Sequence, residues 1–317
     1  MSFRRLVGFG EAMLRLTVRD GRAIETTTNL DCSVGGAELN ACIAAVRAGM
    51  PATWVSALPD DSLPRLVRRH VRASGVDAEI LTVEQARLGL YFLEMAPPPR
   101  PLRITYDRKG SAFALLDPDR IEWQSLLGPD VCLVLTGITP PLGNGPRKGV
   151  EDALAAAREV GAVVALDVNY RSALWSRDEA SRWLSAVLPE VDVLSAGPDD
   201  LSAVGLRGPD PVAEALQRFE LRAAVTTSKE RIDDAMELEM RVVTPDGEHR
   251  ARARAVVVDP IGAGDALFGT FLAHLPGGDV QAATEHGLSA AVTCVGLFGD
   301  ALVDDPWDAS EARGVVR

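Results

Sequence analysis

The stretch Val256-Val-Val-Asp-Pro-Ile-Gly-Ala-Gly-Asp265, running on into Ala266-Leu-Phe-Gly-Thr-Phe-Leu-Ala-His-Leu275, is the most informative part of this chain. A β-favouring run ends in a proline, and Gly-Ala-Gly-Asp then opens an apolar segment with helical spacing. Glycines at 262 and 264 reach backbone angles closed to other residues, so successive N–H groups can point into one small space. A helix starting there adds its unpaired first-turn donors and the positive end of its dipole. The turn is an anion hole, and Asp265 sets a carboxylate inside it. A negative charge there is a poor design for anion binding alone. It makes sense where Asp265 takes a proton from a hydroxyl while the N–H groups hold a phosphoryl group. Phosphoryl transfer to an alcohol is therefore the first reading. The plainer alternative is a capping aspartate in one of the many glycine-rich turns of α/β proteins. The spacing is neither that of a Walker A loop, since no Gly-Lys-Ser/Thr follows, nor the Gly-x-Gly-x-x-Gly dinucleotide fingerprint.

With 317 residues, 47% hydrophobic and 25% charged, the chain is expected to form one α/β domain over residues 1–317. A formal charge of −12 argues against nucleic-acid or anionic-membrane partners, which need a basic face. An anionic substrate is still allowed if arginines gather locally. Cys32, Cys42, Cys132 and Cys294 lie far apart with no Cys-x-x-Cys pair, and read as small hydrophobes in a reducing compartment. The segment Met1-Ser-Phe-Arg-Arg-Leu-Val-Gly8 lacks a signal-peptide core, and no apolar run approaches a membrane span. A soluble cytoplasmic protein is expected.

Short apolar runs at 6–10, 52–58, 131–135, 162–166, 191–195, 223–227 and 255–258 read as buried strands. Helical patterns at 36–49, 62–74, 146–160, 176–188, 210–219, 264–275 and 279–297 alternate with them. Such alternation predicts a mostly parallel sheet with helices on both faces, and a ligand cleft at the carboxyl ends of its strands. Asp265, Asn169 and Gly137 all fall just past expected strand ends. Residues 11–33 and 88–107 break the rhythm with alternating segments separated by the rigid turn Pro97-Pro-Pro-Arg-Pro101. They predict a second, small sheet acting as a lid, with a structural extension or a dimer patch as the alternative. Apolar residues on both alternations (Leu14, Leu16, Leu90, Phe92, Ile104) predict a homodimer through that sheet. Pro245-Asp-Gly between apolar flanks predicts a hairpin turn.

Gly35-Gly-Ala-Glu-Leu-Asn40 precedes an alanine-rich helix. Its paired glycines allow close backbone approach to a ligand or, more plainly, of helix to sheet, and Asn40 offers both donor and acceptor. In Tyr106-Asp-Arg-Lys-Gly-Ser-Ala112, Tyr106 and Arg108 share a face if the strand continues. Asp167-Val-Asn-Tyr-Arg171 ends a strand with Asn169 and Arg171. Arginine suits two-pronged recognition of carboxylate or phosphate, although any one of these arginines can also be a solvated surface charge.

Taken together and in this order, these segments resemble the ribokinase-like (PfkB) carbohydrate kinases from Gly8 nearly to the C-terminus. Within that family, Gly10-Glu-Ala-Met-Leu-Arg15, Gly89-Leu-Tyr-Phe92, Tyr106 to Ala112, Leu135-Thr-Gly-Ile-Thr139 and Asp167 to Trp175 look most like 2-keto-3-deoxygluconate kinases. The resemblance implies a three-layer α/β sandwich with a small β-sheet lid, ATP with Mg²⁺ as phosphoryl donor, and a keto sugar acid as acceptor. It implies Asp265 as base and Gly262, Ala263 and Gly264 as the anion hole. Gly35, Gly36, Asn40, Tyr91, Tyr106, Arg108, Ile138 and Asp300 would contact the sugar acid, and Arg171 would lie between sugar and phosphates. Asn169, Arg171, Thr226, Ser228, Gly262 and Gly264 would contact the nucleotide. Two segments depart from the family pattern. Thr226-Thr-Ser-Lys-Glu-Arg231 replaces a Thr-x-Gly-x-x-Gly and leads into a longer connection. Gly197-Pro-Asp-Asp200 replaces Asn-x-x-Glu, leaving Asp200 as the candidate metal ligand. The competing readings are a kinase of a neutral sugar or nucleoside, and a non-catalytic binding relative.

Overall fold

The computed structural model describes residues 1–18, 21–95, 100–203 and 205–303. The turn expected at Pro97-Pro-Pro-Arg-Pro101 therefore falls largely outside the described residues. In chain order the elements are β1 (Arg5–Phe9), β2 (Met13–Val18), β3 (Asp31–Gly35), α1 (Ala37–Arg47), β4 (Ala52–Pro59), α2 (Pro64–Ala73), β5 (Asp77–Val83), β6 (Leu90–Glu94) and β7 (Arg103–Asp107). There follow the one-turn α3 (Trp123–Leu126), β8 (Val131–Thr136), α4 (Asn144–Val160), β9 (Val163–Asp167), α5 (Arg177–Val187), β10 (Val193–Ser195), α6 (Pro198–Ala203) and α7 (Pro211–Arg218). The chain continues through β11 (Ala223–Ile232), β12 (Ala235–Thr244), β13 (Gly247–Ala255), α8 (Ala263–His274) and α9 (Val280–Val295).

Nine of the described strands form one sheet, in the order β13-β12-β11-β10-β9-β8-β1-β4-β5. All neighbours from β11 to β5 are parallel, and β12 and β13 add an antiparallel edge. The parallel strands are near-continuous apolar runs because both faces are covered: Val131–Thr136 and Ala52–Pro59 are buried at every position. Two large apolar clusters lie on opposite faces, one around Phe9, Phe113, Trp123 and Trp183, the other around Trp54, Phe268 and Phe271. From β1 the chain winds outward through β4 and β5 and later returns beside β1 as β8. The strand order therefore reverses between β1 and β8, and a crevice opens there at the carboxyl ends. Gly10 and Glu11 leave β1 into this crevice, and Gly137 to Thr139 leave β8.

The excursions at 11–33 and 88–107 form a separate four-stranded sheet, β3-β2-β6-β7, with β2 and β6 parallel and the outer pairs antiparallel. Registers Leu14↔Val34, Leu14↔Leu90, Leu16↔Cys32 and Leu16↔Phe92 gather these apolar residues on one face. Arg15, aligned with Ser33 and Tyr91, lies on the other. Apolar residues therefore lie on both faces, as the sequence suggested, with Leu14, Leu16, Leu90 and Phe92 together on one and Met13, Leu93 and Ile104 on the other.

Two expectations are corrected. Residues 256–258 form no strand: Ala255 closes β13, and Val256 is 69% exposed in the connection to the glycine turn. The strand on that side is Gly247–Ala255, whose Arg250-Ala-Arg-Ala-Arg-Ala255 alternation turns arginines outward and alanines inward. Thr226 to Arg231 forms the far half of β11, and the expected longer connection is instead a tight turn into β12 at Asp233, where φ is 55°. The hairpin at Pro245-Asp-Gly is present between β12 and β13.

Candidate active site

The Gly-Ala-Gly turn enters α8 at the mouth of the crevice. Gly262 is the N-cap with φ 85°, in the left-handed region, and a Cβ there would fall 1.8 Å from the Asp300 carbonyl oxygen. Only glycine satisfies both conditions. The first-turn N–H groups of α8 have no intrahelical acceptors and face outward at its positive end. Asp265 lies in this turn, half-buried. Asn40, one turn into α1, donates from Nδ2 to Asp265 Oδ2 at 2.8 Å. Burial holds the Asp265 carboxyl well above the usual carboxylate range; Asp167 and Asp300 add to this, while Asn40 and Arg171 oppose it.

Asn40 can reach Asp265 because α1 and α8 touch backbone to backbone. A Cβ at Gly269 would meet the Ala41 carbonyl oxygen at 2.1 Å. Leu267, Phe268, Phe271 and Leu272 bury the inner side of α8, where truncating one Phe to Ala costs about 3–5 kcal/mol. Asn40 is itself buried, and its Oδ1 has no partner. An orphaned buried acceptor costs about 1–3 kcal/mol, which a hydroxyl donor entering the crevice would offset.

Gly35 and Gly36 end β3 and enter α1 under pressure from protein atoms. Beside Gly35 stand the Asp300 carboxylate and the Tyr91 hydroxyl, and beside Gly36 the Glu11 carbonyl. Tyr91 is buried and donates to Asp300 Oδ2. Burial, then Asp300, drive the Tyr91 hydroxyl pKa upward. Tyr106, across the β6–β7 pair, is 42% exposed with its ring 5.8 Å from that of Tyr91. Arg108 lies near the Tyr106 ring and donates from Nε to Glu11 Oε2 at 2.7 Å, with Nη2 at 2.5 Å from the same oxygen. Arg108 is thus already partnered by Glu11, which the sequence did not indicate. Its Nη1 edge has no acceptor among the described residues. Glu11 is 4% exposed, and its Oε1 is a second orphaned acceptor.

Behind α1, buried Glu38 accepts from the Thr136 and Thr139 hydroxyls at 2.6 and 2.7 Å. This fastens the loop after β8 that carries Ile138, whose N–H donates to Thr136 Oγ1. Burial raises the Glu38 carboxyl pKa despite those two bonds.

On the other side of Asp265, β9 ends in Asp167. Burial, then Asp200, push the Asp167 carboxyl to about 7 against Ser195, Arg171 and Asn169. Asn169 holds φ 41°, unusual for a non-glycine, and donates to Asp167 Oδ2 at 3.1 Å. Arg171 is exposed and makes no hydrogen bond among the described residues. Thr226 and Ser228 lie where β11 runs on past the end of β10; the Thr226 hydroxyl is unpartnered and Ser228 is exposed. Asp200, the candidate metal ligand, holds backbone N–H groups. Its Oδ1 accepts from the Tyr170 N–H and its Oδ2 from the Gly197 N–H, both at 2.9 Å, so it braces the loop after β9. The carboxylate left beside Asn169 and Arg171 is that of Asp167.

Sequence reading passed over Glu11, Arg15, Glu38, Asp167 and Asp259. All five stood inside quoted motifs, but as charges with no visible counterpart, because the partners that tie them into the site, such as Asp259 and Asp300 for Arg15 or Thr136 and Thr139 for Glu38, come from distant segments.

Residues 4–306 match the pfkB family carbohydrate kinase pattern. The chain is 35% identical to a 2-dehydro-3-deoxygalactonokinase of Haloferax volcanii, over 98% of this chain and 96% of that protein. It is 32% identical to a 2-dehydro-3-deoxygluconokinase of Thermoproteus tenax, over 93% and 89% respectively. The solved structure of 2-dehydro-3-deoxygluconokinase from Thermotoga maritima superposes with a TM-score of 0.89 at 30% identity, covering 94% of each chain. With a crevice at the strand reversal, an aspartate in the first turn of α8 and this likeness over nearly the whole chain, the protein belongs to the pfkB family of carbohydrate kinases.

Proposed function

We propose that this kinase transfers the terminal phosphoryl group of ATP to the terminal hydroxyl of a 2-keto-3-deoxy sugar acid, in the cytoplasm. The observation that carries this is Asp265, held by Asn40 in the first turn of α8. A carboxylate with a raised pKa is a competent proton acceptor for a sugar hydroxyl. The N–H groups beside it are aimed where phosphoryl charge develops.

Each remaining role follows from chemistry already in place. The Asn40 Oδ1 and Glu11 Oε1 acceptors would take sugar hydroxyls. The free Nη1 edge of Arg108, with Tyr106, would take the acid's carboxylate, and Arg171 would meet the phosphates. Asn169, Thr226 and Ser228 would line the nucleotide side. The residues fit Mg²⁺ bound with a phosphate chain. Among the described residues no group of three or more His, Cys, Asp or Glu forms a cage, but Mg²⁺ on a nucleotide uses only one or two carboxylates plus phosphate oxygens. Asp167, whose carboxyl is pushed to about 7 by burial and then by Asp200, is the group whose ionised form a cation would stabilise. When bound, Mg²⁺ neutralises charge on the phosphoryl oxygens. The small sheet would close over the crevice as a lid on one core domain, its Arg15 face inward, and its Leu16 and Phe92 face would pair with a second copy.

One observation favours a neutral acceptor: Glu11 already neutralises one edge of Arg108. A coupled assay of ADP formation on 2-keto-3-deoxy sugar acids and on fructose decides between them. We expect the acids to be preferred, and Arg108→Lys to raise chiefly the KM for the acid, with the KM for ATP unchanged. A wild type that prefers fructose sinks the acid reading.

A further inference from the structure

Arg15 is a large, fully buried side chain at 1% exposure, and neither the site residues that the resemblance implies nor the proposed mechanism gives it a role. It leaves β2 on the inward face of the small sheet, and its guanidinium is bonded at every nitrogen. Nε donates to Thr17 Oγ1 at 2.8 Å, Nη1 donates to Asp300 Oδ1, and Nη2 donates to Asp259 Oδ2 and lies 3.8 Å from Met95 Sδ. Both carboxylates are nodes in their own right. Asp259 also accepts the Ile261 N–H through Oδ1 and the Gly299 N–H through Oδ2, so it folds the turn leading to Gly262 and clamps it to the segment before Asp300. Asp300 accepts the Tyr91 hydroxyl, and its carbonyl fills the space a side chain at Gly262 would need. One guanidinium therefore closes a ring through β2, the glycine turn, the Gly299-Asp300 segment and β6.

A gain in stability is a weak reason for this ring. Burying ions costs several kcal/mol each, and two carboxylates against one cation leave the cluster short of positive charge. What the ring does is geometric and electrostatic. It sets the small sheet at one distance from the anion hole, and it offsets two carboxylates that would otherwise oppose a phosphoryl group there.

We infer that Arg15 is a positioning residue for phosphoryl transfer, registering the small sheet against the Gly-Ala-Gly turn and fixing the Asp300 carboxylate toward the acceptor. The inference rests on the kinase reading above. Lysine keeps the charge but can hold only one carboxylate at a time. Arg15→Lys is expected to lower kcat by about an order of magnitude or more and to raise the acceptor KM, since small misplacements at a reacting centre are costly. In Arg15→Ala, tens of millimolar guanidinium should restore part of kcat, while urea, similar in shape but uncharged, should restore none. If the alanine variant does not fold, the lysine variant decides alone. A folded Arg15→Lys with wild-type kcat and acceptor KM overturns the inference, as does equal rescue of Arg15→Ala by urea, which would make the role one of packing. A wild type inactive on every sugar acid and sugar would instead bring down the kinase reading itself.

Discussion

Asp265 combines two properties that work against each other: a place in the positive end of a helix, and burial among other carboxylates. Burial dominates and raises its pKa, with Asp167 and Asp300 adding to the rise. A base must be ionised to accept a proton, so kcat/KM should fall as pH drops through this raised pKa, and the acid limb should lie above the ordinary aspartate range. Asn40 stabilises the ionised form, so Asn40→Ala should move that limb to higher pH. A pH–rate profile of the variant with an unmoved limb would detach Asn40 from the base. Asp265→Asn should lower turnover by about a hundredfold or more. The same raised pKa has a stability consequence of definite sign. A carboxyl with a raised folded pKa contributes stability that is full below its unfolded pKa and lost as pH rises through the folded one. Folded Asp265→Asn should therefore melt higher than wild type at pH 8, with the difference vanishing near pH 4. The opposite order of melting temperatures would contradict the raised pKa.

At the scale of elements, the site depends on how closely α1 and α8 approach. Asn40 rides on α1 and Asp265 on α8, and Gly269 sits against the Ala41 carbonyl where the helices meet. A methyl group there has backbone to displace, and overpacking of this kind costs about 1–3 kcal/mol. Gly269→Ala should lower the melting temperature and kcat together by widening the Asn40–Asp265 contact. A crystal structure of that variant with the 2.8 Å contact intact and normal kcat would show that helix spacing does not set the base. Glu38 acts similarly between α1 and the loop after β8, through its bonds to Thr136 and Thr139.

For the molecule as a whole, the small sheet is the element whose two faces differ most. One carries Arg15 and Tyr91 toward Asp259 and Asp300. The other carries Leu16, Leu90 and Phe92, all only partly buried in the isolated chain. Pairing that second face with its counterpart in another copy would remove apolar area from water at about 25 cal/mol per Å². We expect a dimer by light scattering at micromolar concentration and its loss in Phe92→Glu. A wild-type monomer at high micromolar concentration would contradict the pairing.

The amino-acid sequence by itself determined the alternation of strands and helices, the glycine turn, Asp265 in the first turn of its helix, and the small sheet. Each of these is written in local features: runs of β-branched residues, helical spacing, and glycines at a fixed distance before a helix. Where the local signal was mixed, reading failed. Val256 to Val258 looked like a strand by composition, yet β13 precedes it, marked by the Arg-Ala alternation at 250–255. Asp200, a candidate metal ligand by its spacing, also braces the backbone of Tyr170 and Gly197, a role that no local pattern announced. Only the tertiary structure decided which charges meet. Arg15 finds Asp259 and Asp300 across 244 and 285 residues, and Arg108 finds Glu11 across 97. A side chain's spacing along the chain sets which face it takes, but its partner is set by how sheets and helices pack, and no local pattern encodes that.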